Sequence, residues 1–192
     1  SAATYSYYGI ILCGSINNYN LGYEFGKLAL KLLDKYNIRQ VQALIIQTHY
    51  GCIYHWKEYL RNKEIDNELL KSFQIGLDVG DNQFASYVAI DYCIYRLLGG
   101  YHLEEVEQEY IKYNRVIKKL KQTFSSFYQE ISYNIVNNLQ KSLKKEIALF
   151  VGKSTEEENA VLDQLNQTNN EWLLFLIYFA KLLLFYLLKI YK

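Results

Sequence analysis

Two four-residue stretches, Gly51-Cys52-Ile53-Tyr54 and Tyr92-Cys93-Ile94-Tyr95, resemble each other and lie 41 residues apart. Fainter copies occur at Leu12-Cys13-Gly14 and Tyr133-Asn134-Ile135, so one apolar residue recurs at the same interval. The recurring residues are Leu12, Ile53, Ile94 and Ile135, and Ile177 follows after 42. A period in this range is typical of supersecondary units stacked in a row. Because equal positions of neighbouring units lie side by side, the recurrence predicts a row of core residues.

The composition indicates a folded chain without a strong electrostatic preference for a partner. Of its 192 residues, 51% are hydrophobic and 21% are charged, which is enough apolar material for a core. The net charge of +1 provides no general drive toward nucleic acid or anionic lipid. The chain has no proline, which favours unbroken helices. It also has no methionine, so we expect a chain that begins at Ser1 to be a fragment or a processed product.

The three cysteines, Cys13, Cys52 and Cys93, are spaced by 39 and 41 residues. An odd number at wide spacing, without a signal peptide, argues against a disulfide framework and for a reducing cytoplasm. Zinc sites need closely spaced ligands, and no C-x₂-C pair exists. We therefore expect each thiol to pack between helices as a small apolar group.

Helical periodicity predicts an all-α fold of antiparallel helix hairpins. In one segment, for example, Leu21, Phe25, Leu28 and Leu32 share a helix face, and no stretch alternates like a half-buried strand. The predicted helices run over about 2–13, 20–36, 38–59, 65–79, 82–98, 102–121, 124–143, 154–165 and 171–192. Two helices per period predict one repeat domain over 1–192, with hairpins at 1–37, 38–80, 81–122, 123–165 and an incomplete one at 170–192. The expected architecture is a right-handed superhelix, an α-solenoid related to tetratricopeptide (TPR) or HEAT arrays.

Polar and glycine residues mark where several of these helices begin and end. Asn37 and Gly80 stand where a helix should stop, and Asp81 is placed to cap the next helix. Ser154 and Glu157 form the S-x-x-E pattern of a capping box.

The last predicted helix is apolar from Trp172 to Leu188 except for Lys181. Seventeen residues are at the short limit of the roughly 17–25 that a span needs. A central lysine costs about 2.5–3.5 kcal/mol on insertion scales. The sequence therefore favours a helix buried on most sides and covered by a following helix over a membrane span. If the chain ended at Lys192, the uncovered side would be an apolar patch for self-association.

No residue pattern for catalysis, a cofactor or a metal stands out. His49 and His55 are six residues apart, and the H-E-x-x-H spacing is absent. Two groups of glutamates, at 104–109 and 156–158, lie at predicted helix N-termini, where the helix dipole explains them. Gly152-Lys153-Ser154 resembles the end of a P-loop, but Ile147 stands where the first glycine should be.

The chain contains 20 tyrosines, and tyrosine can line a groove for a peptide, a sugar or a single strand. Nucleic-acid grooves need interleaved basic residues, and the basic runs here, at 118–121 and 141–145, are short. We expect most of the tyrosines to fill helix–helix contacts, with a tyrosine-rich concave face that could hold a protein partner.

Several stretches resemble a known family. They are Leu12-Cys13-Gly14, residues 22–30, His55-Trp56-Lys57-Glu58, residues 76–81, residues 85–87 and residues 103–107. Together they cover about residues 8–190. They are similar to the helical-repeat region of very large bacterial, mainly cyanobacterial, signalling proteins.

In that family a Ser/Thr-kinase-like domain and an AAA-type ATPase module precede the repeats, and GAF and histidine-kinase domains often follow. The matching stretches are packing motifs, so the resemblance implies no catalytic residue and no cofactor in this chain. It implies a cytoplasmic, two-component type of signalling context, with an ATP-binding kinase as the parent protein.

The sequence leaves three hypotheses open. The first is a non-catalytic scaffold or sensor segment that relays between an ATPase and an output domain by population shift. The second is a stand-alone TPR-like adaptor that holds a peptide or protein in its concave groove. The third is a small helical enzyme, which would need several of His49, His55, Glu58 and Asp91 to converge in one pocket.

Overall fold

The computed structural model describes residues 1–59, 62–141 and 154–189, and this part of the chain is helical without a strand. The predicted all-α fold is confirmed, whereas the right-handed superhelix stays a prediction. The α-helices are α1 (Ala2–Gly14), α2 (Tyr19–Tyr36), α3 (Gln42–Gln47), α4 (Lys63–Val79), α5 (Asn82–Leu98), α6 (Leu103–Lys119), α7 (Thr123–Lys141), α8 (Thr155–Gln167) and α9 (Glu171–Leu187). Residues 144–153 between α7 and α8, including Ile147 and Gly152 of the P-loop comparison, all lie outside the described residues.

The predicted helix ends have the expected cap geometry. Asn37 and Gly80 both take left-handed backbone conformations, with φ of 46° and 80°, and end α2 and α4. The Asp81 side chain accepts from the Phe84 amide at 3.2 Å, and the Ser154 hydroxyl accepts from the Glu157 amide at 3.2 Å. These side chains satisfy amide groups that the first helical turn leaves without partners.

The prediction of one continuous helix over 38–59 is wrong. The chain there forms a 3₁₀ turn at Arg39–Val41, the short α3, a π-helical turn at Thr48–Ile53 and a second 3₁₀ turn at Tyr54–Trp56. We call residues 39–56 the third segment and Thr48–Ile53 the π turn. At the start of the π turn the Thr48 hydroxyl donates to the Leu44 carbonyl at 2.7 Å, a contact that perturbs helical hydrogen bonding. The apolar periodicity did not reveal the change of helix type.

The chain divides into two compact units, Ser1–Tyr101 and His102–Lys192. In the first unit α1 packs along α2, and α4 packs along α5. The third segment contacts all four of these helices and therefore lies at the centre of the unit. The assignment of one repeat domain with its hairpin boundaries stays a prediction.

Small residues allow the third segment to approach α1 and α2 closely. A Cβ atom added to Gly9 would lie 2.7 Å from the Ile53 Cδ1 and 2.9 Å from the Gly22 carbonyl oxygen. A Cβ atom on Gly22 would overlap the Cys13 sulfur. Cys13 is 1% exposed, so this thiol does pack between helices as the sequence predicted.

The row of core residues is only partly confirmed. Leu12, Ile53, Ile135 and Ile177 are buried. Ile94 is half-buried, because its neighbour Cys93, rather than Ile94, faces the core on α5. The recurring sequence therefore marks a helix position close to the core. In the α5 copy the residue that faces the core is Cys93, one position before Ile94.

In the second unit α7 packs against both α6 and α9, and α8 packs against α9. The core draws on every helix of the unit. Its buried apolar side chains include Val106, Tyr110, Ile117, Ile131, Val136, Leu173, Leu176, Ile177 and Leu184. α6 begins with Glu104 and Glu105 and ends with Lys118 and Lys119, a charge order that complements the helix dipole.

α9 buries one face and exposes the other within this chain, and the prediction that a following helix covers it in the parent protein stays a prediction. Its exposed large side chains are Trp172, Phe175, Tyr178, Phe179, Leu182, Tyr186 and Leu187. Lys181, in the middle of the helix, forms an ion pair with the buried Glu158 of α8. Within the described ranges, no helix combines the length and the apolar character that a membrane crossing requires.

Candidate functional site

The π turn at the centre of the first unit is the most unusual local structure of the described chain. A π turn has i→i+5 hydrogen bonds, is rare, and is found often at functional sites. It brings Gly51 against α5, where a Cβ atom would overlap the Asp91 Oδ2 and lie 2.8 Å from the Gln47 Nε2. A larger residue at position 51 would therefore displace the side chains of Asp91 and Gln47.

Asp91 is the group that α5 presents to the π turn. The Gln47 side-chain amide donates to its Oδ2 at 3.2 Å. Burial raises the pKa of Asp91 from 3.8 to about 7, and the hydrogen bond from Gln47 opposes this increase. The carboxyl thus titrates near neutral pH, where an exposed aspartate is ionised.

Tyr95, one turn further along α5, also contacts the π turn. It is 5% exposed, and its hydroxyl donates to the backbone carbonyl of Tyr50. Burial, and then the nearby Asp91 carboxyl, raise the pKa of Tyr95, so the hydroxyl stays protonated and remains a donor. Asp91 and Tyr95 together connect α5 to the last residue of α3, Gln47, and to the middle of the π turn.

The Cys52 thiol lies beside the same carboxyl. Burial, and then the charge of Asp91, raise the pKa of Cys52 to about 12. The thiolate is the reactive form of cysteine, so Cys52 is not activated as a nucleophile in this environment.

His49 is enclosed by aromatic rings. It is 2% exposed, and its ring centroid lies 5.8 Å from that of Tyr23, 4.9 Å from that of Tyr50 and 6.1 Å from that of Tyr54. Its Nδ1 has no hydrogen-bond partner among the described residues and lies against Gly26. Burial lowers the pKa of His49 to about 4, so the imidazole is neutral at physiological pH.

The four side chains that an enzyme hypothesis needs do not share one cavity. His55 is exposed and packs on Trp56, and Glu58 is exposed and accepts a hydrogen bond from the Tyr23 hydroxyl at 3.1 Å. His49 lies in the tyrosine cluster, and Asp91 lies at the contact with Gln47 and Gly51. Over residues 1–59, 62–141 and 154–189, no three acidic, histidine or cysteine side chains form a possible metal group.

Two cavities adjoin on the surface of the first unit. One, of about 520 Å³, lies between α2, the third segment and α4, and the other, of about 540 Å³, lies between the third segment and the start of α4. They share two lining residues, Tyr50 and Glu68. The first has an apolar floor that includes Leu33 and Ile46, and the second is walled by Tyr54. We call the two cavities together the Tyr50 groove.

The mixed lining of the Tyr50 groove suits a polypeptide better than a small apolar molecule. Apolar and charged side chains both line the first cavity, and Asp34 and Lys71 are among the charged ones. A peptide provides both apolar side chains and backbone donors and acceptors, whereas drug-sized ligands need mostly apolar, enclosed sites.

A second buried polar group joins α4 to α5. Arg96 pairs with Asp66 at 3.3 Å, and the Tyr101 hydroxyl donates to the same carboxyl at 2.9 Å. The guanidinium lies 4.1 Å from the centroid of the Tyr101 ring, a cation–π distance. These three side chains connect α4 to α5.

The sequence interpretation missed both this group and the roles of Gln47 and Tyr95. The sequence did contain an indication of buried polar contacts on α5, because Asp91 and Arg96 are the charged residues inside this otherwise uncharged helix.

Comparison with known proteins shows that this chain is similar in sequence to part of a signalling kinase. Hybrid signal transduction histidine kinase G of Dictyostelium discoideum is 25% identical to it over 142 residues. The similar region covers 73% of this chain but 4% of the kinase, so the chain spans a small part of the length of that protein. No protein-family model and no solved structure matches the chain. The similarity suggests a signal-transduction context.

Proposed function

We propose that this chain is a non-catalytic helical-repeat segment of a multidomain signalling kinase, acting as a scaffold or sensor between an ATPase module and an output domain. The observation that carries the proposal is the similarity of most of the chain to a short part of a hybrid histidine kinase. The chemistry of the first unit is compatible with it, because burial keeps His49 neutral and Cys52 protonated. Such groups support packing and binding rather than turnover.

A second candidate is a TPR-like adaptor that binds a peptide or protein partner, and the Tyr50 groove is the observation that favours it. Both functions use the same surface. They differ in whether the occupant belongs to the same polypeptide or to another protein.

A photo-crosslinking amino acid in place of Tyr50 tests both functions. Tyr36, which is 61% exposed and is not among the groove-lining residues, is the matched control position. A scaffold gives crosslinks from position 50 to a kinase, ATPase or output domain of its own protein, identified by mass spectrometry. An adaptor gives crosslinks to one separate protein. Crosslinking from position 50 no greater than from position 36 contradicts both functions.

Phosphoryl transfer tests the non-catalytic part of the proposal. The purified chain, incubated with radiolabelled ATP and Mg²⁺, should neither hydrolyse ATP nor label itself above a heat-denatured sample. Turnover that copurifies with the folded chain would contradict the proposal.

A further inference from the structure

Three neighbouring groups connect α5 to the π turn. The Tyr95 hydroxyl donates to the Tyr50 carbonyl, and Gly51, the next residue, lies against the Asp91 carboxyl. Asp91 and Tyr95 are i and i+4 neighbours, so they project from the same face of α5. The charge of Asp91 is close enough to raise the pKa of Tyr95 and of Cys52. The Asp91 carboxyl and the Tyr50 carbonyl are therefore two alternative acceptors for the Tyr95 hydroxyl.

Asp91 is half-buried, and the protein groups around it provide little compensation for a negative charge. Gln47 donates its one hydrogen bond, and among the described residues no lysine or arginine pairs with it. The other titratable groups nearby are, on α5, Tyr95, and on the third segment, His49, Tyr50, Cys52 and Tyr54. On α4, Glu64 and Glu68 act on Tyr50, while Asp66 pairs with Arg96 of α5.

We propose that Asp91, Tyr95 and the π turn form a proton-sensitive switch, in which ionisation of Asp91 draws the Tyr95 hydroxyl away from the Tyr50 carbonyl and loosens the π turn. A hydrogen bond to a carboxylate is roughly twice as strong as one to a neutral carbonyl, so the hydroxyl changes acceptor when the proton leaves. The Tyr50 carbonyl then loses the Tyr95 hydroxyl as a donor, and the loss of this hydrogen bond costs stability. The one bond that breaks is the O–H bond of the Asp91 carboxyl: its electron pair stays on the carboxylate, and the proton goes to water.

The switch reaches the surface through Tyr50. Tyr50 lines both cavities of the Tyr50 groove, and its carbonyl is the acceptor that the switch releases. The effect on a partner rests on the proposed function, since it needs an occupant of the groove. The switch itself is a property of the isolated chain.

Amide hydrogen exchange of the chain alone tests the switch, without any partner. The readout is the protection of residues 48–54 at about pH 6 and about pH 8, compared with α1 and α2 in the same sample. Asp91→Asn keeps an acceptor for Gln47 but cannot ionise, and it corrects for the intrinsic pH dependence of exchange. Relative to Asp91→Asn, the wild type should lose about fivefold protection at the higher pH, the factor expected when one hydrogen bond is lost.

Two further variants separate the switch from general loosening. Tyr95→Phe removes the hydroxyl, so protection of the π turn should be low at both pH values and no longer depend on position 91. Asp163→Asn, at an exposed aspartate of α8 that does not line the Tyr50 groove, should behave like the wild type. The proposal would be overturned if the protection of residues 48–54 depended on pH equally in the wild type and in Asp91→Asn. It would also be overturned if Tyr95→Phe showed the same protection as the wild type.

A titration of the wild type needs no variant. The carbon-13 signal of the Asp91 carboxyl, followed by NMR, should titrate with a midpoint near 7. A midpoint near the ordinary value of 3.8 would overturn the switch and leave the proposed function untouched. Failure of the crosslinking at position 50 would instead contradict the proposed function and leave the switch untouched.

Discussion

The replacement Asp91→Asn should change how the stability of the protein depends on pH. Asp91 has a pKa of about 7 in the folded protein and an ordinary value of 3.8. Between these values the folded state holds a proton that the unfolded state has released, so the contribution of Asp91 to wild-type stability falls as the pH rises. Each pH unit in this interval corresponds to about 1.4 kcal/mol, so the loss from about pH 4 to about pH 7 is about 4 kcal/mol.

His49 contributes the opposite slope. Its pKa falls from 6.5 to about 4 on folding, so the unfolded state binds the extra proton and stability rises with pH over that interval. In the wild type the two contributions largely cancel between about pH 4 and about pH 6.5. Asp91→Asn removes one of them, and the stability of the variant should then rise with pH over the same range.

Urea unfolding followed by circular dichroism at several pH values measures the effect. The free energy of unfolding of Asp91→Asn minus that of the wild type should grow by about 4 kcal/mol from about pH 4 to about pH 8. Asp34→Asn, at an exposed site, provides the control and should show a constant difference. A constant difference for Asp91→Asn as well would refute the reasoning, because it would mean that the carboxyl is not buried against the π turn.

Three other substitutions test the packing. Gly51→Ala should destabilise the protein by about 1–3 kcal/mol in urea unfolding, since its Cβ would overlap the carboxyl of Asp91, whereas Gly14→Ala, with open space around it, should stabilise by about 0.4–1 kcal/mol. Ile53→Ala should cost about 2–5 kcal/mol because Ile53 is fully buried, and the half-buried Ile94 should cost clearly less; equal losses would contradict the burial pattern. Lys181→Met removes the lysine that pairs with the buried Glu158 of α8 and should lower thermal stability, with a loss of about 3–5 kcal/mol; an unchanged melting temperature would show that the ion pair is not formed.

The exposed face of α9 agrees with one expectation from the sequence. Its seven large exposed side chains form the apolar patch that the sequence associates with an uncovered last helix. Lys181 is accommodated by Glu158 rather than by solvent, which explains how a lysine can stand in the middle of an apolar helix. The sequence could not indicate this pair, because the two residues are on different helices.

The candidate site was far less predictable than the helices. Asp91 was among the residues considered for chemistry, but its partner Gln47 and the donor Tyr95 were not. The pairing of His49 with His55 and Glu58 in a common pocket was a condition of the enzyme hypothesis that the structure does not meet. Contacts of this kind depend on which face of each helix turns inward, and sequence spacing alone does not determine that.

The sequence by itself determined the all-α class, most helix boundaries and several caps, because these depend on local periodicity and on the hydrogen bonds of neighbouring residues. Only the tertiary structure decided that the third helix breaks into a π turn, that Cys93 rather than Ile94 faces the core, and that Asp91 lies against Gly51. The physical reason is that burial and close backbone approach arise between segments distant in sequence. A glycine, an aspartate and a tyrosine acquire a joint role only when α5 and the third segment pack together.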